Sequence, residues 1–115
     1  MALRITNGEV GGVTVVWLDG RIVLGEETIA FRDEVKKLIA QGNTKLVLNM
    51  NNVTLIDSAG LGALVAVYTT ARSHGASLRL CHLGSKFSEL LQITRLVTVF
   101  DVSKTQAEAI SSFTK

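Results

Sequence analysis

Leu46-Val47-Leu48-Asn49-Met50-Asn51-Asn52-Val53-Thr54-Leu55-Ile56-Asp57-Ser58-Ala59-Gly60-Leu61-Gly62 is the stretch on which the reading of this 115-residue chain turns. An apolar run of strand length meets a polar break, and an acid, a hydroxyl and two glycines then open a helical pattern. The implied geometry is a buried strand, from Lys45 to Met50, that delivers Ser58 to the N-terminus of a helix.

Working outward, the chain before this stretch reads as a hairpin and a helix. The segment from Leu3 to Val10 is a modest strand candidate, and Val13 to Leu18 is a strong, β-branched one. Two turn signals compete between them, Asn7-Gly8 and Gly11-Gly12; the second leaves strands of comparable length. Asp19-Gly20 interrupts, and Arg21-Ile22-Val23-Leu24 leads to Gly25. From Glu26 to about Gln41 the period becomes helical, with Phe31, Val35, Leu38 and Ile39 on one face. Glu26 and Glu27 stand in the first turn, where the helix dipole favours acids, and Gly42 is a natural stop.

After Ser58 a second helix is expected from Ala59 to Ser73, ended by Gly75. A strand follows from Ser77 to His82, then a shorter helix after Gly84-Ser85 with Phe87, Leu90 and Leu91 on one face. Leu96 to Phe100 reads as a last strand. Ser103 and Gln106 have capping-box spacing, so a final helix should begin at Ser103 and carry Ala107, Ile110 and Phe113. The order is ββαβαβαβα. Single helices between strands imply parallel neighbours with right-handed crossovers, so the sheet is expected to be mixed and mostly parallel, with one antiparallel strand.

Bulk properties narrow the class. At this length one domain, residues 1–115, is expected. Hydrophobic residues make up 47% and charged ones 19%, a globular balance. The net charge of +2 with scattered signs does not indicate nucleic acid. No apolar run reaches the ~20 residues of a bilayer span, so direct membrane insertion is not expected. Cys81, the single cysteine, excludes an internal disulfide and suits the reducing cytoplasm. Cys81 and His82 are consecutive on a strand and point to opposite faces, so no metal site is expected, and no cofactor motif is present.

For Asp57-Ser58-Ala59-Gly60-Leu61-Gly62, several chemistries compete. A phosphate-cradling loop needs a lysine after its glycines; here Ala63, Leu64 and Val65 follow. A nucleophile elbow needs glycine two positions before the serine, where Ile56 stands, and neither histidine has the context of a base. No catalytic residue is assigned. Ser58 as a helix cap, with glycines for a tight turn, satisfies local chemistry. So does Ser58 as a substrate, because a phosphate there adds about −1.5 to −2 charges beside Asp57 at a helix N-terminus that tolerates anions. The following helix adds a clue: Ala59, Leu61, Ala63, Leu64, Val65, Ala66, Val67 and Tyr68 surround it with apolar groups, more than one stripe requires. Ala63, Ala66 and Val67 are therefore expected to be more exposed than their chemistry suggests, as a patch for a partner beside Ser58.

These residues resemble the STAS domain of bacterial anti-sigma factor antagonists. The family's run of an apolar strand, aspartate, serine or threonine, then x-Gly-apolar-Gly is matched by Asp57 to Gly62. The segment from Leu90 to Phe100 resembles its C-terminal signature. The resemblance implies a STAS-like α/β fold and a non-catalytic cytoplasmic regulator. Ser58 would be phosphorylated by a partner that is both anti-sigma factor and serine kinase, and the unphosphorylated form would bind that partner. The implied docking surface is Asp57, Ser58, Ala59, Gly60, Leu61, Gly62, Ala63, Ala66 and Val67, with a weak homodimer compatible with it. Two positions depart from the pattern: Val23 ends the Gly20-Arg21-Ile22-Val23 segment where an acid is usual, and Asn49 replaces an aspartate. Both are expected to remove negative charge near Ser58. Relatives with such changes also serve as stressosome-type scaffolds or as accessory subunits of membrane lipid-transport ATPases.

Overall fold

The computed structural model describes residues 2–114. Its elements are β1 (Leu3–Val10), β2 (Val13–Ile22), α1 (Glu26–Ala40), β3 (Lys45–Ile56), α2 (Ser58–Ser73), β4 (Ser77–Cys81), α3 (Ser85–Ile93), β5 (Asp101–Ser103) and α4 (Gln106–Ser111), with 3₁₀ turns at Leu96–Thr98 and Ser112–Thr114. The five strands lie in sequence order in one sheet; β1 is antiparallel to β2 and the remaining neighbours are parallel. This is the mixed, mostly parallel α/β fold expected from the order of elements. Because strand order never reverses, the sheet has no switch point of the kind that creates a ligand crevice in doubly wound folds.

The hairpin turns at Gly11-Gly12, where φ is 58° and 81°. Two successive left-handed residues suit the twist of a two-residue hairpin, and glycine enters that region without a Cβ clash. The competing Asn7-Gly8 lies inside β1, paired with Val16 and Val15.

Alternation along the strands divides the core between two faces. On one, Val16, Leu18, Leu46, Leu48, Met50, Leu78 and Leu80 pack against Phe31, Val35 and Leu38 of α1, Leu64 and Val67 of α2 and Leu91 of α3. On the other, Val13, Val15, Val47 and Cys81 are covered by Ala109, with Trp17, Ile110 and Phe113 alongside. Three helices thus serve one face and the short α4 serves the other. Gln106 fastens α4: its side-chain oxygen accepts from Trp17 Nε1 at 3.0 Å and from Asn49 Nδ2 at 2.9 Å, and its backbone N–H donates to His82 Nε2 at 3.1 Å.

Four boundaries differ from the sequence expectation, one being β2, which runs through Asp19-Gly20 to Ile22 instead of ending at Leu18. β3 does not stop at Met50. The polar break is a bulge, after which Asn52, Val53, Leu55 and Ile56 continue the pairing with β2. The ten-residue β2 offers free backbone groups there, and Asn49 Oδ1 takes up the N–H of Asn51 at 3.0 Å. Third, Leu96 to Phe100 is not a strand. Arg95 enters left-handed at φ 61°, and Leu96 O accepts from the N–H of Val99 and of Phe100. The turn seats Phe100 in the core, edge-on to Tyr68 at 5.1 Å between ring centroids, and the strand follows as Asp101–Ser103. Fourth, α4 is capped not by Ser103, which ends β5, but by Thr105, whose hydroxyl accepts from Glu108 N at 3.2 Å.

Candidate functional site

Asp57 is the residue that builds the start of α2. It holds extended backbone at φ −94° and caps the helix, Oδ1 accepting from Gly60 N at 2.8 Å. Its second oxygen accepts from Leu24 N at 3.0 Å, and its own N–H donates to Ile22 O at 3.4 Å. One carboxylate therefore ties the end of β3, the first turn of α2 and the loop after β2. The Leu24 amide first, then that of Gly60, holds the carboxyl below its ordinary value, because both bonds favour the charged form. Capping thus belongs to Asp57 and not to Ser58, which is the first residue of the helix.

Gly60 is buried against the same loop. A Cβ on it would stand 1.9 Å from Ile22 O and 3.1 Å from Ile56 Cγ2, so only glycine lets the helix approach this closely. Gly62 behaves in the opposite way: it is exposed, and a Cβ there would meet nothing within 4 Å. The motif has two sides. Asp57 and Gly60 face the fold, Ala59 and Leu61 are half-buried, and Ser58 and Gly62, four residues apart on one helix face, are turned outward.

Ser58 is exposed and its Oγ enters no hydrogen bond among the described residues. Neither histidine is arranged to serve it as a base. His74 ends α2, its Nδ1 within 2.8 Å of Thr70 O, and His82 Nε2 is occupied by the amide of Gln106. Among the described residues no group of His, Cys, Asp and Glu is placed to hold a metal. Cys81 lies in the second core, where burial pushes its thiol up to about 11.

The apolar surface beside Ser58 is not where the sequence placed it. Ala63 and Val67 are both at 0% exposure and pack under α2, so a partner cannot reach them; Ala66 is half-buried. Their burial has a simple cause: α2 crosses the middle of the sheet with α1 at its side, so more than one stripe is covered. The outward line of α2 is instead Ser58, Gly62, half-buried Val65 and Ala66, and Thr69. Sequence reasoning missed Leu24, which is 76% exposed while its amide is bonded to Asp57, and Leu55, 51% exposed near the end of β3. An apolar residue directly after an apolar strand carries no signal of exposure; only the turn into α1 reveals it.

Of the two positions with lost acids, Val23 adjoins Leu24 and so borders this site. Asn49 does not: it is buried on the α4 side of the sheet, bonded to Gln106, most of β3 away from Ser58.

The fold is matched in known proteins. Residues 4–109 match the STAS domain. The chain belongs to the STAS domain family. The anti-sigma factor antagonist BtrV of Bordetella bronchiseptica is 23% identical over 96% of this chain and 95% of its own length. The anti-sigma-B factor antagonist of Bacillus subtilis is 32% identical over 63% of this chain and 65% of its own. The fold is also that of the Bacillus anti-sigma factor antagonist SpoIIAA, whose structures include an unphosphorylated and a phosphorylated form. Each superimposes with a TM-score of 0.72 at 18% identity, over 97% of this chain and, in that order, 97% and 99% of its own. No helix among the described residues is long and apolar enough to cross a membrane.

Proposed function

We propose that this STAS protein is an anti-sigma factor antagonist whose partner is an anti-sigma factor with serine kinase activity, and that Ser58 is the phosphorylated residue. The carrying observation is the division of the motif: Asp57 and Gly60 clamp the helix start to the fold, and Ser58 is left outward with a free hydroxyl. A kinase needs a hydroxyl that it can reach without unfolding its substrate, and this one qualifies. Phosphorylation would add about −1.5 to −2 charges beside the Asp57 carboxylate, while the helix N-terminus accommodates the anion. The fold would persist and the surface met by the partner would become more negative locally. Unphosphorylated protein would bind the anti-sigma factor; phosphorylated protein would let go.

The docking surface supported by the structure is Ser58, Gly62, Ala66 and the exposed Leu24. Bare backbone at Gly62 allows a partner to approach α2 closely, and exposed apolar Leu24 offers it area to bury. Asp57 and Gly60 support this surface from beneath. The names of the relatives, which are anti-sigma factor antagonists, point the same way.

The test is phosphorylation by the kinase-type anti-sigma factor of the same genome, with ATP, read by intact mass. Wild type is expected to gain one phosphate and Ser58→Ala none; equal labelling of Ser58→Ala would reject the site. In a binding assay with that partner, Ser58→Asp is expected to bind more weakly than wild type. Equal binding of the two would remove the switch, and a transport-ATPase accessory role would then be the better reading.

A further inference from the structure

Away from the outward face of α2, the last half of β3 and the start of α3 border a half-open cavity of about 510 Å³. Met50, Val53 and Ile56 of β3 form one wall, and Phe87 and Leu90 of α3 form the other. Its origin is legible in the helix. α3 has nine residues and buries only Leu91 fully, so its N-terminal half does not close on the sheet. Val53, Ile56, Phe87 and Leu90 each keep part of their surface uncovered as a result. Apolar surface left open forgoes the gain of burial, so these side chains gain from an apolar guest.

The polar groups at the mouth restrict what that guest can be. Lys86 is the only charged residue of the lining, and no acid accompanies it. Thr54 has its hydroxyl committed to Gly20 O at 3.2 Å. Lys86 stands at the second position of α3, whose Gly84 cap supplies no side chain to the first amides, and the exposed Glu89 one turn on lies outside the lining. An apolar chamber with one cation at its rim selects a molecule with an apolar body and one negative end. A phosphate ester would bring more charge than a single lysine matches. The volume lies within the ~300–1,000 Å³ of small-molecule sites.

We propose that this cavity binds a free, medium-chain aliphatic carboxylate, its tail along Met50, Val53, Ile56, Phe87 and Leu90 and its carboxylate at Lys86. None of Asp57 to Gly62 lines it, so the site stands independently of the role assigned to Ser58.

The experiment is an NMR titration of the ¹⁵N- and methionine-methyl-labelled full chain with decanoate below its micelle concentration, with 1-decanol as the uncharged probe. Decanoate should shift the Met50 methyl and the amides from Gly84 to Phe87 along saturable curves. Lys86→Glu, at an exposed position, should weaken decanoate about fivefold, the effect of one exposed charge contact, and leave decanol unchanged. Leu90→Trp should fill the chamber and abolish binding of both. The proposal is overturned by an absence of saturable shifts, by equal decanoate affinity of wild type and Lys86→Glu, or by shifts centred elsewhere on the surface. Pelleting with phosphatidylglycerol–phosphatidylcholine vesicles while free decanoate stays inert would overturn it too, because the anion would then be read at a bilayer surface.

Discussion

The N-termini of α2 and α3 each follow a parallel strand, yet one is packed shut and the other stands over a cavity. At α2 a carboxylate caps the helix, and glycine at the third position lets it press on Ile22 O. At α3 the cap is Gly84, which offers no side-chain acceptor, and a Cβ built on it would touch nothing within 4 Å. The proposed role of Ser58 fits this difference: a helix start held rigidly from behind would let an added phosphate alter the surface and leave the fold intact. A helix start that borders a chamber must leave it unfilled.

The largest expected effect comes from breaking the packed terminus. Gly60→Ala forces a Cβ into Ile22 O, a backbone atom that cannot swing aside, and should destabilise the protein by about 3 kcal/mol, the upper range for overpacking. The urea midpoint measures it; an unchanged midpoint would show that α2 does not bear on β2 as described.

A smaller loss is expected from Asp57→Ala, which leaves the amides of Leu24 and Gly60 without their acceptor. The same carboxylate makes the comparison sensitive to pH. Its folded-state value lies below the ordinary 3.8, so the native state binds this proton less readily than the unfolded chain. The stabilisation is complete above that ordinary value and is lost as pH falls through the folded-state one. Asp57→Asn should therefore show a shallower loss of stability in acid than wild type, in urea titrations repeated from neutral pH downward. Equal slopes would mean that the carboxylate is not held as the hydrogen bonds require.

The smallest effect belongs to the open terminus. Gly84 has φ −69° and ψ 159°, which any residue adopts, so Gly84→Asp should cap α3 and raise stability by a few tenths of a kcal/mol. It would also place an acid beside Lys86 and compete with the proposed carboxylate, so decanoate affinity should fall while the melting temperature rises. A gain in both would contradict the position given to the ligand.

Much of this was legible before the structure. The apolar run of β3, the period of α1 and the glycine stops at Gly42 and Gly75 set the order of elements, because strand and helix patterns are local properties of a side chain and its near neighbours. The same was true of the place of Ser58 at the start of a helix. What failed was also physical. The end of β3 depended on whether β2 had free backbone groups to pair with Val53 to Ile56. Val97 and Val99 carry the propensity of a strand, yet their segment turns because its backbone bonds to itself and Phe100 is drawn to Tyr68. Asp57 and Ser58 are both good caps by composition, and only the approach of the Leu24 amide chose between them.

The sequence by itself thus determined the elements, their order, the parallel sheet with one antiparallel edge and the position of the serine, since each follows from periodicity, turn chemistry and chain connectivity. Tertiary structure alone decided which of the motif's residues face outward. Whether Ala63 or Gly62 is reached from outside depends on where α1 and the sheet cover α2, and burial of that kind is a property of the assembled layers, not of any one segment.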